Sequence, residues 1–259
     1  MTGGVVELPV DTAWAVGFVL AMSRVAAFAL TSPFLGSTIP VAARLAFASA
    51  VGLAATQPVP GVVELGDLLV AGMVNVTVGA VLGYVTGVVV YLFSTAGGIV
   101  DWVSGLAVSA VFDPLQGDQS GIFARMFHLV AVTMFVAAGG LGLLVTGLVG
   151  STWIVPLDAA VTLQPGLTGY VVDLVAGVVR SGLELALPVI GVLIMVELAL
   201  GLASRFAPQA NVFLLGLPAK LLTSLTVVAS SWVLFPDAMA GVESTVARGF
   251  EVGLRGLGG

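Results

Sequence analysis

Apolar runs dominate the chain, and several reach the length of about 18 residues that a helix needs to cross a bilayer. They predict six to eight helical segments joined by short polar turns. The first covers residues 13 to 30 and is interrupted by Arg24. The second, roughly 41 to 56, follows a turn from Pro33 to Pro40 and closes at Gln57-Pro58-Val59-Pro60-Gly61, where successive prolines stop a helix. Leu68 to Val100 carries no charge, and as one helix its 33 residues would measure about 50 Å against a hydrocarbon core of about 30 Å. A break is therefore expected, with Gly97-Gly98 as its place. Trp102 to Phe112 is too short to span alone and reads as one arm of a hairpin ending at Asp113-Pro114. A further long run, Phe123 to Val155, is softened by Gly139, Gly140, Gly142, Gly147 and Gly150. Gln164-Pro165-Gly166 then divides the chain. Beyond it, 171 to 203 and 212 to 235 form a two-helix unit, and from Asp237 onward the spaced charges belong in or near water.

Composition sharpens this picture. Of 259 residues, 59% are hydrophobic and 8% charged, against about 25% charged in an ordinary soluble domain. Mean hydropathy is +1.16. There is too little polar material to cover a soluble globule, so the expected class is an all-α membrane protein of helical hairpins and broken helices. The formal charge of -6 includes only 8 Lys and Arg residues with no basic stripe, which excludes nucleic acid as a partner. The absence of cysteine and the single histidine remove disulfides and clustered Cys or His metal sites. The first basic residue, Arg24, follows Glu7 and Asp11, unlike the basic start of a secretory signal, so the first apolar stretch is expected to be retained.

Few residues carry chemistry. Gly79, Gly83 and Gly87 recur every four positions on one helical face, with Gly72 seven positions earlier, a spacing that lets a second helix approach closely. Arg24, Arg180, Glu184, Glu197 and Lys220 lie within or beside apolar runs, where ionisable groups are costly and are paired or face water. Two readings stand: a proton or ion path through Glu184 and Glu197, or local pairing, which the four-residue spacing of Arg180 and Glu184 favours. His128 reads as a structural hydrogen-bonding residue. Asn75-Val76-Thr77 matches a glycosylation triplet but falls inside an apolar run. No phosphate loop, dinucleotide fingerprint or catalytic constellation is present, so neither an enzyme nor a cofactor is expected.

Three stretches together resemble the FliR/SctT family of type III secretion export gate subunits. They are SRVAAFALTSPFLGSTIPVAARLAFA from Ser23 to Ala48, AGGIVDWVSGLAVSAVFDPLQGDQS from Ala96 to Ser120, and LPVIGVLIMVELALGLASRFAPQANVFLLGLPAKLL from Leu187 to Leu222. The residues that carry the likeness are Arg24, Pro33, Pro40 and Arg44 in the first, and Arg205, Pro208, Gln209, Asn211, Pro218 and Lys220 in the third. The chain departs from the family's pattern at Gly98 and at Gly139-Gly140-Leu141.

The resemblance implies a subunit of a helical hetero-oligomeric export gate in the bacterial inner membrane, at the flagellar basal body. Its companions would be FliP-type and FliQ-type membrane subunits with other export apparatus proteins, and unfolded proteins would pass through it. Residues 1–165 would form a FliP-like part, 166–236 a FliQ-like two-helix unit and 237–259 a polar tail. The loop at about 112–121 would project into the channel and help to close it: Phe112 as an apolar stopper, Asp113 and Pro114 fixing the turn, then Leu115, Gln116, Gly117, Asp118, Gln119 and Ser120. From the residues alone, an ordinary surface turn remains the alternative. At corner 205–211, Pro208 disfavours helix at Ala207, while Gln209 and Asn211 can satisfy open backbone groups. The rival functions are a small-molecule or ion transporter, with coupling carboxylates buried in a central pocket, and the equivalent subunit of a virulence type III secretion system.

Overall fold

The computed structural model of the protein describes residues 12–35, 39–60, 64–107, 121–159, 166–206, 212–236 and 248–249. Among them all regular structure is helical. The α-helices are α1 (Thr12–Thr31), α2 (Val41–Ala54), α3 (Leu65–Ser104), α4 (Ile122–Ala137), α5 (Gly140–Ile154), α6 (Gly166–Phe206) and α7 (Val212–Ser231), with 3-10 turns at Pro33–Leu35 and Trp232–Leu234. Three helical stretches are long and apolar enough to cross a membrane: Thr12–Thr31, Leu65–Val88 and Val172–Phe206. The bent pair α4 and α5 would make a fourth if it crosses as one span. The all-α membrane class with broken helices holds.

One expectation is corrected. Helix α3 runs unbroken through Gly97-Gly98 for 40 residues, about 60 Å. Glycine in a helix reads alike whether it breaks the helix or thins it for a neighbour, and Gly97 does the second. A side chain there would strike the Phe123 carbonyl and the Ala124 Cα. The chain leaves helical geometry instead at Gly105 and Gly139, with φ of +85° and +86°, a region that favours residues without a Cβ.

By packing, the chain forms two compact units: residues 1–87, 141–169 and 246–259, and residues 88–140 and 170–245. This groups the chain by contact, a different criterion from likeness to companion subunits. In the first unit α1 packs on α2. Leu20, Ala21, Ala55, Val59, Ala71 and Leu157 make its core. In the second, Phe235 after α7 packs at a tilt of 36° against Phe93 of α3 and meets Phe127 of α4 edge-on, with centroids 5.5 and 5.1 Å apart. Edge and offset arrangements of this kind suit the ring quadrupoles.

Candidate functional site

In the first unit the motif residues gather around Arg24. Its side chain is 1% exposed. Its Nε donates to Asn75 Oδ1 at 2.9 Å, one terminal nitrogen to Ser151 Oγ at 3.0 Å and the other to the Val155 carbonyl at 2.8 Å. Asn75 in turn donates to the carbonyls of Ala71 at 2.7 Å and Leu157 at 2.8 Å, and Ser151 donates to the Leu148 carbonyl at 2.6 Å. All three acceptors of Arg24 are neutral, so the guanidinium is held by dipoles rather than by a counter-ion. Its function here is to tie α1 to α3 and to the chain leaving α5, satisfying carbonyls that a helix end leaves open.

The glycine face of α3 makes this possible. A Cβ at Gly79 would meet the Arg24 carbonyl, and one at Gly83 would meet Thr31 Oγ1 and the Phe28 carbonyl. Gly87 is buried one turn on, whereas Gly72 faces open space. The four-residue spacing thus serves α1 of the same chain. Thr31 Oγ1 donates across this contact to the Ala80 carbonyl at 3.3 Å. Pro33 opens the 3-10 turn that follows α1. Pro40 stands at the N-cap of α2, its carbonyl accepting from the Ala43 and Arg44 backbone N–H at 3.0 and 3.2 Å. Arg44 is half-buried in the first turn.

In the second unit residues 108–120, and with them the expected channel loop from Phe112 to Ser120, lie outside the described residues. Asp101, near the end of α3, is 2% exposed. Its Oδ1 accepts from Phe123 N–H at 3.0 Å and its Oδ2 from Ala124 N–H at 2.9 Å. Burial pushes its carboxyl above the ordinary carboxylate range, opposed by the backbone N–H groups of Ala124, Phe123 and Ile122.

Two ion pairs involve charges of α6 and α7. Arg180 Nε lies 3.1 Å from Glu184 Oε1 on exposed turns of α6. Lys220 Nζ donates to Glu197 Oε1 at 2.8 Å, joining α7 to α6. Gly216 passes Leu200 in the same helix pair. Pro218 lies inside α7 and Arg205 in the exposed last turn of α6. Pro208, Gln209 and Asn211 lie outside the described residues. His128 Nδ1 is 3.5 Å from Ser94 Oγ, a structural contact.

Sequence reasoning missed Asn75, Ser151 and Asp101. The signals were an amide inside an uncharged run and a carboxylate ending it.

The sequence pattern of the family described as Bacterial export proteins, family 1, matches residues 15–245. The flagellar biosynthetic protein FliR of Bacillus subtilis is 27% identical over 213 residues, 80% of this chain and 82% of that protein. FliR of Aquifex aeolicus is 27% identical over 246 residues, 90% and 91% of the two chains. The surface presentation of antigens protein SpaR of Salmonella typhimurium is 31% identical over 144 residues, 55% and 53%. With the family pattern covering most of its length and the glycine face, the Arg24 cluster and the two C-terminal helices all inside the match, the chain belongs to the bacterial export proteins, family 1.

Proposed function

We propose that this protein is a subunit of the flagellar type III protein export gate, building with companion membrane subunits the channel through which unfolded flagellar proteins leave the cytoplasm. The observation that carries the reading is similarity along 90% of the chain to a protein named flagellar biosynthetic protein FliR. The virulence counterparts match over a shorter stretch, 55% of the chain for the Salmonella protein, which favours the flagellar use.

Physical features support an assembled rather than solitary subunit. The apolar stretch Val172–Phe206 has 35 residues, about 53 Å of helix, where lipid covers about 30 Å. Only 17% of its most apolar window is buried within the chain. The excess apolar length needs protein to cover it, and the companions in this reading are of the FliP and FliQ types, with other export apparatus proteins around them. Residues 1–165 would take the FliP-like place, 166–236 the FliQ-like place and 237–259 the polar tail, in the inner membrane at the flagellar basal body. Residues 112–120 would be the plug. Irregular backbone at membrane depth is tolerated where it lines water or is covered by protein, which suits a loop with Gly117 and polar side chains.

A solute transporter is disfavoured because Glu184 and Glu197 are exposed and spent on Arg180 and Lys220 rather than gathered in a pocket. No catalytic residue, metal or cofactor belongs to this reading. Extraction in mild detergent tests it. Stable co-purification with two small hydrophobic companions is expected; a monodisperse protein that binds a solute alone would overturn it.

A further inference from the structure

Helix α6 buries one stripe and leaves the opposite one bare. Leu174, Ala186, Val189 and Leu193 are buried, and Gly182 among them lies close to the Leu92 carbonyl and the Thr95 side chain of α3. With about 3.6 residues per turn, Arg180 and Glu184 fall on the side facing away from this stripe. Their side chains are 83% and 58% exposed, among exposed Val179, Leu183 and Leu187. On a soluble surface such an ion pair would be unremarkable in position and worth little. Here it lies inside the apolar stretch Val172–Phe206.

Lipid is unsuited to cover it. A bilayer core takes about 20 helical residues, and only the 12 residues 185–196 separate Glu184 from Glu197, itself 63% exposed. Any placement of about 20 residues of this stretch in hydrocarbon therefore immerses one of the two carboxylates, where an ionisable group is costly and is found against protein or water. Water in turn is unsuited to the valines and leucines around Arg180 and Glu184. Glu197 accepts from Lys220 of α7 at 2.8 Å. Among the described residues, Arg180 and Glu184 pair only with each other, at 3.1 Å. Gly177 and Gly191 lie on the same face to either side of them, with open space where a Cβ would stand, so another helix can approach closely. Once that helix excludes water, the donors and lone pairs that Arg180 and Glu184 do not spend on each other need partners.

We propose that this face of α6 docks a helix of a companion subunit that sets a carboxylate against Arg180 and a Lys or Arg against Glu184, about one helical turn apart. The proposal rests on the assembled-gate reading above. The pair within α6 becomes half of a larger charge cluster in the complex, and its sign order selects the companion and fixes its register.

Reversing that order separates docking from local helix support. Arg180→Glu combined with Glu184→Arg keeps a pair four residues apart, in the order that a helix favours, but sets like charges against the companion. The unaltered and reversed chains are extracted in mild detergent, and the companions recovered per chain are compared. The expected result is a loss of companion recovery of about tenfold or more at an unchanged membrane level of the chain. Equal recovery overturns the proposal and leaves the gate reading standing. An unaltered chain that recovers no companion overturns the gate reading and the proposal with it. Should the reversed chain fail to accumulate, a second measurement decides. The chain has no cysteine, so Leu187→Cys, on the same face, carries a thiol-linked photo-crosslinker in an otherwise unaltered complex. An adduct with a co-purified companion is expected, mapping to a helix with an acidic and a basic residue about one turn apart. Adducts with lipid alone, or with a helix lacking those charges, overturn the proposal.

Discussion

The Arg24 cluster sets up a test in which two single changes should cost more than their combination implies. Replacing Asn75 with Ala removes the acceptor 2.9 Å from Arg24 Nε and the donor 2.8 Å from the Leu157 carbonyl. Stranding one donor of a buried cation costs about 1.5–3 kcal/mol and leaving one carbonyl unmet about 1 kcal/mol, so the variant should lose about 2.5–4 kcal/mol. Arg24→Met removes the cation itself. Ser151 keeps its own bond to Leu148 at 2.6 Å, so only Asn75 Oδ1 and the Val155 carbonyl lose a partner. Desolvating an ion without a counter-ion costs several kcal/mol, and its removal offsets part of the loss, leaving about 1–2 kcal/mol. In the double variant no stranded donor remains. It should therefore be destabilised by about 3 kcal/mol rather than the sum of the singles, a coupling of about 2 kcal/mol. Graded denaturant unfolding of the purified complex in detergent, followed by tryptophan fluorescence of the four variants, measures the cycle. Additivity within about 0.5 kcal/mol would refute the claim that Asn75 serves chiefly to solvate Arg24.

Other substitutions follow from the same packing. Gly83→Ala should lower the melting temperature and Gly83→Leu should abolish assembly, because any Cβ there meets Thr31 and Phe28. Gly72→Ala, in open space, should instead stabilise by about 0.5–1 kcal/mol; melting curves of the three variants that fall together would contradict the close approach of α3 to α1. Arg205→Ala is expected to lower complex yield and export in step, and normal yield with lost export would assign Arg205 a direct part in transport. Removing the pair between exposed Glu197 and half-buried Lys220 by Glu197→Gln should cost about 1 kcal/mol and leave secretion intact. Lost secretion would revive the ion-path reading.

Much of the helical layout was legible because apolar runs and prolines bound it. Helix α2 ends before Pro58 as the sequence predicts, and α7 starts at residue 212. Length was misleading where α3 continues past the thickness of a bilayer, since apolar side chains suit protein neighbours as well as lipid. Arg24 was recognisable as a residue needing partners, but those partners lie 51, 127 and 131 positions away, a separation that periodicity does not encode. Asn75 was masked by a glycosylation triplet in an apolar setting, where its amide is the better clue. Asp101 was hidden inside a motif because its partners are backbone groups of Phe123 and Ala124, which leave no trace in residue type. The Lys220–Glu197 pair joins two different helices and has no fixed spacing, unlike Arg180–Glu184.

Secretion by the living cell tests the central claim most directly. In a strain deleted for this chain, with restoration of the full-length protein as the control, flagellar proteins in the medium and uptake of small solutes are measured side by side. The account predicts that flagellar proteins stay inside the cell without this chain, that the full-length protein restores their release, and that solute uptake is unchanged throughout. Continued release of flagellar proteins together with lost uptake of a solute would contradict it.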